Sequence, residues 1–382
     1  KHPFTILSSL LAVGLISQTG AAPITKADNT TSLHLAGSYV SGGPPGTSDT
    51  IVIDSTFTTT RTAALGDNLS ILGISQLANA DFQFQIGATA GKTLTIGSGG
   101  VTMASTISGA NLIFANAVTL GASQTWTTVT GRNLQMNGAF SDGGNTLSVV
   151  GTGLFDLRGS NTFGSNVTID SSVSVNSAAA TVTLGGVNTM NSLAIPAGRV
   201  IGATLNNFGV ASNFGDGGTS TAISLGGATT AGVMEYSGVT TNSNRTVTRD
   251  ARSTGSGIDV ATAGVTLTLS GNLSSGIQAN AGSNGWAFGG AGNLTLNGVV
   301  SNATGAGSTG TTITKNGSGT LTLGNASNTY TGATDVVDGK LIINGNTSTS
   351  LLTTVKTGAT LGGTGTVGAV MVDSNGIFAP GD

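Results

Sequence analysis

The densest group of charged side chains in this sequence lies in its second half. It consists of Glu235, Tyr236, Arg245, Arg249, Asp250, Arg252 and Asp259. Most glycoside hydrolysis needs two carboxylates that flank the scissile bond, and polysaccharide lyases typically combine an Asp with Lys or Arg. If the chain is an enzyme, we expect Glu235, Asp250 and Arg249 to be its catalytic residues. The alternative is that these ions cover one exposed side or pair across a corner, which predicts no catalytic residue.

Other kinds of chemistry lack the residue types they need. The sequence has no Cys and two His, and His2 falls in the leader described below, so His34 is the sole base for a hydrolase triad. The Gly- and Asp-rich nonapeptide that binds Ca²⁺ does not occur. Gly363, Gly365 and Gly368 match a dinucleotide fingerprint, but the residues after them cannot open the required helix, so the spacing predicts a corner between strands. We expect no cofactor and no metal ion.

The composition favours an all-β protein. Charged residues make up 8% of the chain, against about a quarter in ordinary globular proteins, and the charged helix formers are scarce. A disordered linker is the alternative, but six Pro and a net charge of −3 are low for one. The chain also has no basic patch, which argues against nucleic-acid binding and against an anionic membrane surface.

The first 21 residues resemble a secretory signal peptide in their order of features. Lys1 precedes an apolar stretch at residues 4–17, and small residues follow it, with Thr19 and Ala21 placed for cleavage after Ala21. The stretch is too short for a membrane span, and no later stretch reaches 18 apolar residues. The leader predicts export from the cell. We expect no other part of the chain to insert into a membrane. We divide the chain into a signal peptide (1–21), an opening segment (22–60) and a long β-region (61–310 and 311–382).

From about Asp49 onward, short strands alternate with turns rich in Gly, Asn and Ser. Apolar residues alternate with Thr, Ser or Asn in segments such as 50–54, 146–150, 265–269, 320–323 and 340–344, which is the period of a strand with one buried face. A sandwich, a barrel and a solenoid all fit evenly spaced short strands. The composition is uniform over 300 residues, and the phrase at 151–163 recurs at 317–330. Both observations favour a single parallel β-solenoid with about 20–25 residues per coil.

The alternation also predicts a register for the last coils. Side chains alternate across a strand, so five apolar residues should point inward: Leu321, Leu323, Val336, Leu341 and Ile343. Thr320, Thr322 and Lys340 should then point outward. Small aliphatic residues are expected to fill a narrow interior.

Residues 313–344 carry a recognisable pattern. It reads Thr314-Lys315-x-Gly-x-Gly-x-Leu-x-Leu323, then Asn328-Thr-Tyr-Thr-Gly332, then Gly339-x-Leu341. This resembles the autotransporter-associated β-strand repeat, and residues 358–382, 235–276 and 41–55 are similar to other blocks of the same proteins. The resemblance implies a single-stranded right-handed parallel β-helix, export from a bacterial cell and a passenger-like role outside it. The C-terminal transmembrane barrel that is usual in that family is not among these residues, so the expectation is a passenger fragment, a truncated chain or a secreted protein that never carried a barrel.

Two classes of function remain open at this stage. The first is a secreted or cell-surface structural and adhesive protein, associated with the outer membrane, whose partners are extracellular surfaces, glycans or other cells. The second is a carbohydrate-active β-helix enzyme that uses the cluster from Glu235 to Asp259. The ends of a solenoid expose unpaired strand edges, so we also expect end-to-end self-association through the last coil, while residues 22–46 cover the other end.

Overall fold

The protein is all-β throughout the part that the structure describes. The computed structural model describes residues 23–40, 42–77, 80, 82–104, 111–157, 161–163, 167–185, 187–188, 190, 192–218, 222–250, 255–276, 285–305 and 310–381. These residues contain no α-helix and one 3₁₀ turn, Ala36–Ser38. The predicted signal peptide, Arg252 and Asp382 lie outside the described residues.

Thirty-four strands follow one another along these residues. The first fifteen are β1 Pro23–Thr25, β2 Thr50–Ile53, β3 Arg61–Ala64, β4 Leu69–Gln76, β5 Phe84–Gly87, β6 Thr93–Met103, β7 Leu112–Phe114, β8 Ala117–Leu120, β9 Gln124–Thr128, β10 Asn133–Met136, β11 Phe140–Ser141, β12 Leu147–Leu157, β13 Asn161–Phe163, β14 Val167–Leu184 and β15 Leu193–Gly202. The others are β16 Ile223–Leu225, β17 Gly232–Tyr236, β18 Thr241–Ser243, β19 Val247–Arg249, β20 Ser256–Val260, β21 Thr266–Leu269, β22 Leu273–Ser275, β23 Gly285–Gly289, β24 Asn293–Leu296, β25 Thr312–Lys315, β26 Thr320–Leu323, β27 Thr334–Val336, β28 Lys340–Ile343, β29 Asn346–Thr347, β30 Thr353–Val355, β31 Thr360–Gly363, β32 Thr366–Val367, β33 Val370–Val372 and β34 Ile377–Pro380.

Every pairing between these strands is parallel. The antiparallel contacts among described residues are isolated bridges, Lys26 with Tyr39 and Asn188 with Ser212. Parallel strands that stack on the next turn of the same chain define a solenoid, so the predicted fold class is confirmed. A hairpin-built sandwich or barrel would have paired its neighbours in antiparallel fashion.

From β16 onward most strands fall into three columns, which we call sides. Side 1 is the column β16–β19–β22, and side 2 is β17–β20–β23–β25–β27–β30–β33. Side 3 is β18–β21–β24–β26–β28–β31–β34. Coil length varies more widely than predicted, from the 17 residues between paired Val355 and Val372 to the 34 between paired Val200 and Met234. The strand columns stay in register because the corners absorb the difference.

The register predicted for the last coils is confirmed. On side 3, Leu267, Leu294, Leu321, Leu341 and Leu361 lie one above another and are at most 3% exposed. Leu323, Val336 and Ile343 are also buried, whereas Thr320, Thr322 and Lys340 are half-buried on the outer surface. The outer residues are partly covered because each strand has neighbours about 4.8 Å above and below it.

The interior of the first half differs from the expected aliphatic filling. Trp126 is fully buried and stacks on Phe114 at 5.8 Å, with Phe155 edge-on at 6.2 Å. The Trp126 indole N–H donates to the Gln124 side chain at 2.8 Å. A hydrogen-bond partner for the indole makes its burial tolerable. Aromatic residues are few in this chain, but they are concentrated inside.

The N-terminal coil is covered by residues 23–40. β1 pairs with β2 and continues the stack by one strand. Lys26 is fully buried, with its amine 5.9 Å from the ring centroids of Phe57 and Phe84. Leu33 packs into the core, and the Tyr39 hydroxyl donates to its carbonyl at 2.7 Å. This end of the solenoid therefore presents a folded cover rather than an open row of core side chains.

Candidate functional site

Two members of the predicted charged cluster lie side by side on the outer surface of side 2. Glu235 on β17 is the direct register partner of Asp259 on β20. Arg199 on β15, in the preceding coil, donates from Nη1 to the carboxylates of both, with 2.8 Å to Asp259. We call these three residues the ionic triad. It ties together three successive coils.

The electrostatics of the ionic triad are those of a neutralised pair of like charges. Two carboxylates directly opposite each other on paired strands repel, and Arg199 offsets that repulsion. Burial by itself lowers the pKa of Arg199, but hydrogen bonding and charge from Asp259 and Glu235 outweigh it and raise the pKa. The three side chains keep about a quarter to a third of their surface exposed, so solvent screens the interaction.

The surface beside the ionic triad is made of backbone. Gly289 is the register partner of Asp259, and a Cβ there would lie 2.6 Å from the Asp259 carboxylate. Gly257 pairs with Ala287, and a Cβ on Gly257 would overlap the Ala287 carbonyl oxygen. The missing side chains let the carboxylates lie flat against the coil that follows.

Arg249 points into the core, away from Glu235. Its guanidinium donates to the Ser275 hydroxyl at 2.6 Å and to the Asp250 carbonyl at 3.0 Å, and it lies 5.5 Å from the ring of Trp286. Burial lowers the pKa of Arg249 to about 10, against an opposing effect of Asp250. An inward guanidinium at 1% exposure cannot contact a polymer on the surface.

Asp250 lies at the corner that follows side 1. Its backbone N–H donates to the Leu225 carbonyl of the preceding coil at 2.9 Å. Glu235, in contrast, lies within strand β17 on the outer surface of side 2. Tyr236 and Arg245 are buried too: the Tyr236 hydroxyl donates to the Val239 carbonyl, and Arg245 donates to the Gly215 carbonyl at 3.0 Å. The three candidate catalytic residues therefore occupy a side, a corner and the interior, and the structure does not bring them together.

The geometry of the ionic triad suits a structural role better than glycoside hydrolysis. A glycosidase keeps its carboxylates apart to hold the scissile bond between them. Here Nη1 of Arg199 occupies that position, within hydrogen-bond distance of both carboxylates. His34 lies far along the chain in the N-terminal cover, with Nδ1 3.3 Å from the Leu65 carbonyl oxygen. Within the described ranges, no three His, Asp or Glu side chains are grouped to hold a metal ion.

Arg199 was missed by the sequence reasoning. It lies 36 residues before Glu235 and 60 before Asp259, so it does not belong to the dense run of charges. The signal that identifies it is the register of the strands: Arg199 pairs with Val233, two residues from Glu235. To find Arg199 from the sequence, one would have had to know in advance that this coil is 34 residues long.

An open polar groove runs across the coils of the first half. We call it the hydroxyl groove, and it has a volume of about 500 Å³. Its lining consists of Ser98, Gly99, Thr102, Ser123, Gln124, Thr125, Thr127, Thr146 and Ser148. No charged or aromatic side chain lines it, which makes it a surface of hydroxyl donors and acceptors.

Register explains both the floor and the walls of the hydroxyl groove. Thr102 pairs with Thr127, and Thr125 pairs with Ser148, so hydroxyls recur from one coil to the next. Gly99 adds bare backbone to the lining, and the neighbouring Gly100 has φ +62°, where a Cβ would overlap the Thr125 carbonyl oxygen. The Gln124 amide is fixed from below, because its nitrogen donates to the Ile96 carbonyl at 2.8 Å.

The pattern at residues 314–341 forms a corner around a buried lysine. Lys315 points inward, and its amine donates to the carbonyls of Asn316 and Gly317 at 2.7 Å each. A third bond, at 3.2 Å, reaches the Asp338 carbonyl in the next coil. Gly317 and Gly339 have φ of +72° and +67°, and a Cβ on Gly339 would lie 2.9 Å from the lysine amine. The Lys and Gly positions of the pattern therefore shape one corner.

The Asn of the pattern links three coils. Asn328 is 5% exposed, and its side-chain oxygen accepts from Val300 N–H of the preceding coil at 3.0 Å. Its side-chain nitrogen donates to Asn325 at 2.7 Å and to Asn346 of the following coil at 3.2 Å. Tyr330, buried beside it, shares a hydrogen bond of 3.0 Å with the Thr334 hydroxyl. Polar residues of the pattern thus satisfy backbone groups that corners leave unpaired.

No helix in the described part is both long and apolar enough to span a bilayer.

One of three comparisons with known proteins gave a match. Neither a search of curated proteins nor one of solved structures gave a match. Residues 313–343 match the family model of the passenger-associated transport repeat. This repeat and the stacked parallel coils together fit an autotransporter passenger-like β-helix repeat protein.

Proposed function

We propose that this chain acts outside the cell as a structural and adhesive rod of an autotransporter passenger. The observation that supports it most is the combination of the passenger repeat at 313–343 with the parallel stacking of the strands in the described residues. A solenoid holds its outer side chains at fixed spacing, which suits an extended binding surface. The passenger family implies secretion to the cell surface, and outer-membrane association belongs to the same proposal.

The ligand class that best suits the hydroxyl groove is a neutral glycan. Its lining can both donate and accept hydrogen bonds, and it offers no charge to attract an ion. Hydroxyls such as Thr102 and Thr127 recur at the spacing of stacked strands, about 4.8 Å. That spacing is close to the rise of one sugar in an extended β-linked polysaccharide, so successive sugars can meet successive coils.

A glycan array with the purified protein tests the proposal. The Thr125→Val and Thr127→Val double variant keeps side-chain volume but removes two hydroxyls from the groove. At about 1 kcal/mol per hydrogen bond, we expect binding of neutral glycans to fall at least tenfold. Thr268→Val is the matched control, since Thr268 is an outward Thr of side 3. Equal binding by both variants, or binding of charged glycans alone, would contradict the proposed site.

The enzyme alternative can be tested on the ionic triad. The passenger repeat suggests a non-enzymatic protein, and Arg199 fills the space between the carboxylates. We expect no release of reducing ends or unsaturated sugars from polysaccharides by the wild-type protein. Polysaccharide cleavage that Glu235→Gln or Asp259→Asn abolished, in a protein of unchanged fold, would establish the enzyme instead.

A further inference from the structure

Asn316 is followed by Gly317 at the corner between β25 and β26. Asn-Gly pairs occur six times in the chain, at Asn137, Asn284, Asn297, Asn316, Asn344 and Asn375. In such a pair no side chain shields the peptide nitrogen that follows the Asn, so this nitrogen can approach the Asn carboxamide. Five of the pairs lie in the part of the chain that the structure describes, and Asn284 lies outside it. The five differ in what holds the glycine N–H.

In four of the five described pairs, a backbone hydrogen bond already uses the glycine N–H. The acceptors are the carbonyls of Phe114 for Gly138, Leu269 for Gly298, Leu323 for Gly345 and Asp373 for Gly376, at 2.9–3.4 Å. Gly317 differs, because within the described ranges its N–H donates to no acceptor. Its nitrogen can therefore react without first losing a bond to the rest of the fold.

The Asn316 side chain is exposed, and no other group fixes it. Among the residues that the structure describes, neither its oxygen nor its nitrogen has a hydrogen-bond partner. Asn344 is exposed as well, but its side-chain oxygen accepts from the Thr364 backbone N–H at 3.2 Å. Asn316 can thus rotate its Cγ toward the Gly317 nitrogen, whereas Asn344 is held by the coil that follows it.

Lys315 places a positive charge on the peptide group that joins Asn316 to Gly317. Its buried amine donates to the Asn316 carbonyl oxygen at 2.7 Å. Resonance spreads the charge of a deprotonated peptide nitrogen onto the oxygen of the same peptide group. An ammonium that donates to this oxygen stabilises that charge, as an oxyanion hole does. The ammonium is present at neutral pH, because burial lowers the pKa of Lys315 only to about 8, with Asp338 opposing.

We propose that Asn316 is a self-modification site, where the Gly317 nitrogen attacks the side-chain carboxamide and Lys315 stabilises the charge on the attacking peptide group. Solvent base removes the Gly317 N–H proton, and the nitrogen bonds to Cγ of Asn316. The bond from Cγ to the side-chain nitrogen then breaks, and this nitrogen takes a proton from water and leaves as ammonia. Water opens the resulting succinimide at either carbonyl and leaves aspartate or isoaspartate. No atom is oxidised or reduced.

The products alter the corner in two ways. Each places a carboxylate on the exposed surface where the chain had a neutral amide. Isoaspartate also adds one CH₂ to the main chain, in the corner whose carbonyls at Asn316 and Gly317 bind the Lys315 amine. The passenger repeat thereby acquires a negative charge that accumulates with the age of the protein.

Peptide mapping by mass spectrometry tests the proposal on the folded wild-type protein, incubated at neutral pH in water labelled with heavy oxygen. Asn316 should exchange its NH₂ for a labelled OH and yield both aspartate and isoaspartate. We expect this reaction to be at least about tenfold faster than at Asn344, where a backbone hydrogen bond must first break. Asn344 is the matched internal control, since it too is exposed and followed by Gly. Equal rates, or a faster reaction at Asn344, would overturn the proposal.

The same measurement in urea separates the fold from the local sequence. The contact with Lys315 and the unbonded Gly317 N–H belong to the folded corner. The lead of Asn316 over Asn344 should therefore disappear in the unfolded protein. A lead that persists in urea would mean that the local sequence causes it, and the proposal would fail.

Lys315→Met distinguishes catalysis by the lysine from a purely structural role. Met cannot donate to the peptide oxygen, so the reaction at Asn316 should slow by about tenfold or more, as for a lost hydrogen bond to a charged group. If the lysine only fixes the corner, its loss should loosen the corner and speed the reaction. A faster or unchanged rate would thus contradict the proposal. Lys92→Met, at a distant exposed ion pair, is the control and should leave the rate unchanged. If Lys315→Met does not fold, the wild-type comparison with Asn344 decides.

Discussion

Glu235 lies directly beside Asp259 in the register of β17 and β20, and one nitrogen of Arg199 binds both carboxylates. Two negative charges in adjacent coils would repel if they were alone. With the arginine from a third coil, they instead join three turns of the solenoid. The charged group that the sequence singled out as a candidate catalytic site thus contributes two of its carboxylates to a contact between coils.

Removing the arginine should weaken this part of the stack. In Arg199→Met, the two carboxylates lose their shared partner and face each other unneutralised. We expect a loss of about 1 kcal/mol in the free energy of unfolding, as for partly exposed ion pairs. Adding Glu235→Gln to that variant should restore part of the loss. Denaturant titration at low and high salt measures both effects, and an Arg199→Met variant as stable as wild type would argue against a structural triad.

The inward leucines of side 3 should dominate the stability of the repeat. Leu321→Ala removes a fully buried side chain from a continuous column, and such truncations cost about 2–5 kcal/mol. Thr322→Ala changes the adjacent outward residue and should change stability by less than about 0.5 kcal/mol. Hydrogen exchange of residues 313–343 reports the local loss even if the whole solenoid does not unfold in one step. Similar effects of the two substitutions would show that the column does not carry the stability.

Glycine is needed where coils approach closely. A Cβ on Gly319 would overlap the Gly292 carbonyl oxygen of the coil below. Gly319→Ala must therefore push two coils apart, at about 1–3 kcal/mol for overpacking. Gly43→Ala is the control, because a Cβ on Gly43 meets nothing within 4 Å. Thermal unfolding of the two variants checks this, and equal melting temperatures would mean that the corner is looser than the structure shows.

Stability should rise with pH on the alkaline side of neutrality. Burial lowers the pKa of Lys26 and of Lys315 from 10.5 to about 8, although Asp28 and Asp338 oppose it. Between about pH 8 and 10.5 the unfolded chain keeps these protons while the folded protein releases them. The unfolded state then binds more protons, so the free energy of unfolding increases with pH.

Buried tyrosines set the upper limit of that rise. Burial raises the pKa of Tyr39 and of Tyr330 above the ordinary value of 10.0, so above about pH 10 unfolded tyrosines ionise first and stability falls. We expect a maximum near pH 9–10 in urea midpoints measured from pH 7 to 11. Lys315→Met should flatten the rise, whereas Lys92→Met, at an exposed ion pair, should not. A midpoint that falls steadily from pH 8 would contradict the assignment.

Local sequence was sufficient for the strand type and for much of the register. Strict alternation around Leu321 and Leu341 predicts one buried face, and the structure buries both side chains. Gly363 likewise ends a strand at φ +114°, as the corner interpretation requires. These features depend on neighbours within one coil, where the period of two and the needs of a turn are visible in the letters.

The site could not be predicted in the same way, because coil length decides which residues meet. Arg249 and Asp250 are neighbours in the sequence, yet Arg249 points inward and Asp250 lies at a corner. Arg199 meets Glu235 only because a 34-residue coil separates their strands. Composition and alternation predicted an all-β chain with an apolar inside and a hydroxyl-rich outside, and the recurrence of one phrase along the chain favoured a solenoid among the β folds. Which outer residues become neighbours was decided by the tertiary structure, since the number of residues that each corner takes up sets which residues of successive coils come into register.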